Sequence, residues 1–214
     1  MAKNIFIVIT VNGIILTLIV FFINLTTKDK TATTNTQANS TVSTADHHGS
    51  GAAVDATIFN GLVGKTAPGF TLETYDSKKI SLSQLKGKNV ILFFNEGLMC
   101  YPSCWNQITA FSKDTTLNSK AVILNITVDP KNDWKAAVNK MPELALATVL
   151  FDSGREISQK YGVLTLPSSM HKGQFPGHSY VLIDKEGIVK FIKDDPAMAI
   201  RNQELTVEVD KLLY

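Results

Sequence analysis

The stretch from Asn89 to Gln107 constrains this chain more than any other. Val90-Ile91-Leu92-Phe93-Phe94 is an unbroken apolar run rich in β-formers, the pattern of a strand buried on both faces. Asn95, Glu96 and Gly97 end it with turn chemistry. From Tyr101 the pattern turns helical, with Trp105, Ile108 and Phe111 at three-to-four spacing. Pro102 falls where a first helical turn tolerates a residue without an N–H. The chain's 2 cysteines, Cys100 and Cys104, therefore stand where a helix leaves the carboxyl end of a strand.

That placement has chemical consequences. Unpaired N–H groups and the helix dipole favour negative charge at a helix start, so a thiol there ionises more readily. The thiolate is the form that attacks disulfides, reduces peroxides and binds soft metals. Two cysteines four apart on a first turn can face each other, and the expectation is one presented to solvent and one tucked behind. Neither position continues an apolar face, which argues against a merely hydrophobic role.

The amino terminus carries a second strong signal. Ile5 to Leu25 is apolar except for Thr10, Asn12, Gly13, Thr17 and Asn24. As a helix it would be roughly 31 Å long, enough to cross a bilayer core. No small-residue cleavage site follows Phe21-Phe22-Ile23, and no cysteine is there to carry a lipid, so residues 1–25 read as an uncleaved transmembrane signal anchor. Lys3 on one side and Lys28 and Lys30 on the other leave orientation undecided by charge. Residues 26–57 are dominated by Thr, Ala, Ser, Asn and Gly, with Val42 and Val54 the only sizeable apolar residues, and read as a flexible tether. His47-His48 within it reads as a solvated pair. A net charge of +2 suggests no nucleic-acid partner.

The folded domain is expected over residues 58–214. Phe70–Leu72 and Lys79–Leu82 form a hairpin across Asp76-Ser77, and the cysteine strand–turn–helix follows. Further strands are expected at Ala121–Val128 and Thr148–Phe151, with helices at Trp134–Met141 and Glu156–Tyr161. A loop from Gly162 to Gly177 holds Pro167, Met170, His171 and Pro176. Ser179–Ile183 and Ile188–Ile192 pair across Lys185-Glu186-Gly187, and a helix runs from Gln203 to Leu213. Strands alternating with helices, then a hairpin and a helix, specify an α/β sandwich with a mixed sheet. Trp105, Phe111 and Trp134 belong to its core by their spacing.

Asn89–Gln107, the proline-bearing loop, His178 through Gly187, and the entry segment Leu62–Leu72 together resemble the thioredoxin-fold redoxins, nearest the alkyl hydroperoxide reductase/thiol-specific antioxidant (peroxiredoxin-like) group. The resemblance implies a thioredoxin-like fold, a mixed sheet flanked by helices, over the whole folded domain. It also implies a thiol oxidoreductase with antioxidant character, acting on a thiol/disulfide protein partner or a hydroperoxide without a resident cofactor. Two departures matter. Peroxiredoxins place Thr or Ser three residues before the reactive cysteine, where Gly97 stands before Cys100 and Tyr101 before Cys104. Their arginine corresponds to Gly177. Weak peroxide reduction beside a reversible dithiol pair is the expectation.

Three residues between the cysteines also resemble the Sco copper chaperones, membrane-anchored proteins of the same fold. That resemblance implies an alternative in which Cys100, Cys104 and His178 take copper, a donor set suited to the metal. Adding His171 for zinc matches no familiar spacing. On the redoxin reading, Cys100 is the attacking thiolate, being the more N-terminal and less shielded, and Cys104 the resolving thiol. His178 is, copper aside, either a hydrogen-bonded structural histidine or a proton handler near the thiols. Glu96, four residues before Cys100, is either a proton shuttle or an exposed turn carboxylate. The expected place is outside the cytoplasm, where disulfides persist.

Overall fold

A computed structural model describes residues 52–213. The anchor, His47-His48 and residues 26–51 of the tether lie outside the described residues. Among the described residues no helix is long and apolar enough to cross a membrane. The last residues assigned to the tether are bonded to the folded body. Asp55 N–H donates to the Thr165 carbonyl (3.1 Å), and the Thr165 hydroxyl donates to the Asp55 carbonyl (2.6 Å). A short helix α1 (Thr57–Asn60) follows and buries Phe59.

Seven strands form one mixed sheet in the order β2-β1-β5-β4-β3-β6-β7. They are β1 (Thr71–Thr74), β2 (Lys79–Ser81), β3 (Val90–Phe94), β4 (Val122–Thr127), β5 (Val149–Phe151), β6 (Ser179–Ile183) and β7 (Val189–Asp194). β3 runs parallel to β4, and β4 to β5; β3 pairs antiparallel with β6, placing Phe93 opposite Tyr180 and Phe94 opposite Ser179. The central strand is buried at every residue because both faces are covered. Ile91 and Phe93 point to one layer with α2 (Ser103–Lys113), α4 (Trp134–Lys140) and α6 (Asn202–Asp210). Val90, Leu92 and Phe94 point to the other, with α1 and α5 (Glu156–Lys160). Trp105, Phe111 and Trp134 are buried in the first layer, as their spacing implied.

The expected elements are present with ends shifted by a few residues. Two α-helices were not anticipated: α1, at the end of the tether, and α3 (Thr115–Lys120), too polar to show periodicity and started by Asp114, whose carboxylate accepts the Leu117 N–H at 2.9 Å. The start of the cysteine helix also needs correction. Gly97–Cys100 is a 3-10 turn, Tyr101–Pro102 is a cis peptide, and α2 begins at Ser103 with Pro102 at its cap rather than inside it.

Candidate functional site

Cys100 closes the 3-10 turn after β3, and Cys104 is the second residue of α2. The two are joined in a disulfide, with Cα atoms 5.4 Å apart. The expectation of one solvent-presented cysteine fails: Cys100 is 3% exposed and Cys104 0%. Met198, in the loop after β7, explains part of this cover, since its sulfur lies 3.9 Å from the Cys100 sulfur. What faces solvent beside the pair is apolar, Met99 and Tyr101, with the Lys140 ammonium 3.6 Å above the Tyr101 ring. A cavity of about 480 Å³, bordered by Lys88, Lys120 and Lys185, lies at the other end of β3 and β4.

His178 sits immediately before β6, beside β3, and is fully buried. Its Nδ1 is 3.5 Å from the Cys104 sulfur and its Nε2 is 2.7 Å from the Tyr180 hydroxyl. The ring meets Phe93 edge-on at 4.7 Å. Burial pushes its pKa down to about 4, against an opposing pull from the Asp195 carboxylate, and Arg201 adds to the depression. The side chain is therefore a neutral imidazole near neutral pH.

Glu96 is not exposed. Its side chain is wholly buried, and one oxygen accepts the N–H groups of Met170 (2.6 Å) and His171 (3.1 Å) and the Ser169 hydroxyl (3.3 Å). The other oxygen lies 3.0 Å from His171 Nδ1. Its hydrogen bonds all run to the loop of residues 169–171, none to a sulfur, so its contacts are those of a clamp. A turn carboxylate beside glycine looks solvated in sequence because the donors that bury it are about 75 positions away.

The two glycine departures have a structural cause. A Cβ on Gly97 would overlap the Asp129 carboxylate and the Thr127 hydroxyl, and the residue has φ +54°. Asp129 fills that space by accepting from the Leu98 N–H (2.9 Å) and the Thr127 hydroxyl (2.7 Å). A Cβ on Gly177 would overlap Ser168 Oγ and the Ser169 nitrogen. Both positions where peroxiredoxins carry polar side chains are closed here by packing.

Cys100, Cys104 and His178 bring their ligand atoms within 4.8 Å of one another, and His171 is not among them. In the disulfide form this set does not fit copper, because the sulfurs are bonded to each other and neither is a thiolate. Residues overlooked in the sequence complete the site. Gln107, one turn along α2 from Cys104, and Tyr180, two residues after His178 on the same strand face, meet at 3.1 Å. Asp195 and Arg201, joined by two 2.7 Å hydrogen bonds, close the loop over His178. Gln107 and Tyr180 read in sequence as ordinary helix and strand positions, with spacing from Cys104 and His178 the one available signal; nothing in sequence pointed to the ion pair.

A profile of the AhpC/TSA family matches residues 63–192. The chain is 34% identical over 133 residues to chloroplastic peroxiredoxin Q of Triticum aestivum, covering 60% of this chain and 57% of that one. It is 33% identical over 148 residues to the Populus jackii protein of the same name, covering 67% and 65%. This chain thus spans somewhat less than two thirds of the length of these relatives. Among solved structures it is similar to the mitochondrial 2-Cys peroxiredoxin of Plasmodium falciparum, with 25% identity, TM-score 0.61, and coverage of 71% of this chain and 94% of that one. A putative protein disulfide isomerase from Bacteroides thetaiotaomicron shares the fold at TM-score 0.54 and 24% identity, covering 71% and 89%.

Proposed function

We propose, from the premise that this chain belongs to the AhpC/TSA family, that it is a membrane-anchored thiol-dependent oxidoreductase whose Cys100–Cys104 pair cycles between dithiol and disulfide. The observation that carries the reading is the buried disulfide at the start of α2 with His178 Nδ1 3.5 Å from Cys104. Cys100 is the attacking thiolate, since it is nearer the surface and ends the turn flanked by exposed Met99 and Tyr101. It attacks one sulfur of a partner disulfide, forming a mixed disulfide and releasing one partner thiolate. Cys104 gives its proton to His178, and its thiolate attacks the Cys100 sulfur. The internal disulfide forms, the second partner thiolate leaves, and it takes a proton back from His178. Two electrons pass from the dithiol to the partner.

A hydroperoxide is the second substrate class, suggested by the name peroxiredoxin Q that relatives carry. Cys100 would then become a sulfenic acid with release of an alcohol, and attack by Cys104 would release water. Closure of the Gly97 and Gly177 positions argues for disulfide exchange as the faster chemistry. Titration of the purified protein against glutathione is expected to show one two-electron couple. Stopped-flow oxidation by hydrogen peroxide is expected near the rate of a free thiolate. A pair that stays reduced in air and ignores dithiol partners removes the proposal, and peroxide rates many orders faster would put the hydroperoxide first.

The anchor at residues 1–25 would hold the domain outside the cytoplasm, where a disulfide persists and reductant must come from a partner. Labelling of intact cells with an impermeant thiol reagent after mild reduction is expected to reach Cys100. Protection until lysis would place the domain inside.

A further inference from the structure

Hydrogen-bond direction can be followed inward to His178 from a fixed end. The Asn202 amide nitrogen donates to the Ala110 carbonyl (3.1 Å) and the Asp114 carboxylate (2.9 Å), groups that only accept. Its oxygen is left to accept from Gln107 Nε2 at 2.8 Å. That orients Gln107, fully buried, with Oε1 accepting the Arg201 backbone N–H at 2.7 Å. Reversing the Gln107 amide would set an NH₂ against that N–H.

The same Oε1 lies 3.1 Å from the Tyr180 hydroxyl, and the Ala199 carbonyl lies 3.5 Å from it. Both are acceptors, so the single hydroxyl proton has its place there, and the oxygen's lone pairs face His178 Nε2 at 2.7 Å. The competing arrangement turns Tyr180 O–H onto Nε2 and puts a proton on Nδ1, facing sulfur. While the disulfide is intact, each arrangement makes two hydrogen bonds. Reduction changes the count, because the Cys104 thiol brings a proton of its own. One arrangement then makes three aligned bonds, Cys104 S–H to Nδ1, Nε2–H to Tyr180, and Tyr180 O–H to Gln107. Its reverse still makes two. Aligned chains of this kind strengthen one another in a buried site.

We propose that Tyr180 and Gln107 are positioning residues that hold His178 as the Nε2–H tautomer in the reduced protein, leaving Nδ1 free to accept the Cys104 proton. The inference rests on the assignment of His178 as base to Cys104 and adds how that base is kept in its accepting form. With the proton on Nδ1 the imidazole's remaining lone pair, on Nε2, faces Tyr180, and nothing faces Cys104 to accept its proton. The charged groups facing the imidazole are the Asp195 carboxylate, which favours the transient imidazolium, and Arg201, which opposes it. The hydrogen-bond partners of the two ring nitrogens themselves are neutral, Cys104 at Nδ1 and Tyr180 at Nε2.

The test uses the full chain, reduced and labelled with ¹⁵N-histidine. Two-bond ¹⁵N–¹H correlation reports which ring nitrogen is protonated, and the His178 signal is assigned by its loss in His178→Gln. Wild type is expected as Nε2–H. Tyr180→Phe, which removes the acceptor, and Gln107→Met, which frees the hydroxyl proton to turn onto Nε2, are expected to move population to Nδ1–H. Release of the second thiol from a Cys100 mixed disulfide with thionitrobenzoate should slow about tenfold, with the first attack unchanged. Nδ1–H in the reduced wild type, a measurement needing no substitution, overturns the proposal. So do Tyr180→Phe and Gln107→Met proteins that keep Nε2–H. A tautomer that moves without slowing the second step supports the positioning and removes instead the base role of His178.

Discussion

His171 and His178 stand seven residues apart on either side of the cysteine turn, and their surroundings differ. The His171 side chain is 38% exposed, and its Nδ1 contacts a carboxylate, Glu96, that also accepts from Ser169, Met170 and the His171 backbone. His178 is fully buried, touches no carboxylate, and reaches a sulfur on one side and a phenol on the other. The first set of partners ties a loop to a turn. The second leaves one ring nitrogen facing a group whose protonation changes when a disulfide opens. A histidine's partners decide its work more than its distance from the reactive atom does, and the two can be separated experimentally.

The largest effect is expected where the sulfur beside His178 is removed. Cys104→Ser should abolish resolution and accumulate a covalent Cys100–partner adduct, visible on a non-reducing gel; Cys100→Ser should trap nothing. Adducts forming instead on Cys104 in Cys100→Ser would reverse the roles of the two cysteines and bring the imidazole next to the attacking sulfur.

Acid comes next. The His178 pKa falls from an ordinary 6.5 to about 4 on folding. Between those values the unfolded chain takes up a proton that the folded protein does not, so stability is lost as pH drops through the window. The loss is about 3 kcal/mol by pH 4. Differential scanning calorimetry of wild type and His178→Gln from pH 7 to 4 should show the variant losing less. Comparing the two cancels titrating groups remote from His178; the Asp195 carboxylate, depressed in part by His178, is not one of them. Parallel pH profiles would mean that His178 is not held neutral by burial. The third effect is kinetic: His178→Gln should slow the second thiol step by about 10²-fold at pH 7, the range of a positioned base, and leave the first step near wild type.

Much of this molecule could be read from its residues, and the unreadable part has a common origin. The apolar run of β3, the turn after it and the amphipathic helix carrying Trp105, Ile108 and Phe111 are local patterns, and they located the cysteines correctly. His178 was reachable because strand alternation sets it on the face of Tyr180, against β3. Glu96 was misjudged because burial of a carboxylate depends on donors from a distant loop, invisible to periodicity. Tyr180 read as a strand residue and Gln107 as an ordinary helix position; only the fold brings their polar ends together. The closure at Gly97 and Gly177 was likewise seen as missing side chains, whereas packing leaves no room for any.

The smallest effects belong to the clamp, and their smallness is the point. Glu96→Gln keeps an oxygen for the Met170 and His171 N–H groups but loses charge-assisted strength in a buried site, so about 1–2 kcal/mol of stability should go. His171→Gln removes only a partly exposed partner that water replaces, and should cost less than about 1 kcal/mol. Neither substitution touches Cys104, Tyr180 or Gln107, so the second thiol step should stay within about threefold of wild type, far from the loss a missing base produces. Chemical denaturation and thionitrobenzoate release on the same preparations separate the two quantities. If His171→Gln slows resolution as much as His178→Gln while unfolding at the wild-type midpoint, the loop held by Glu96 takes part in the chemistry, and the division between the two histidines does not stand.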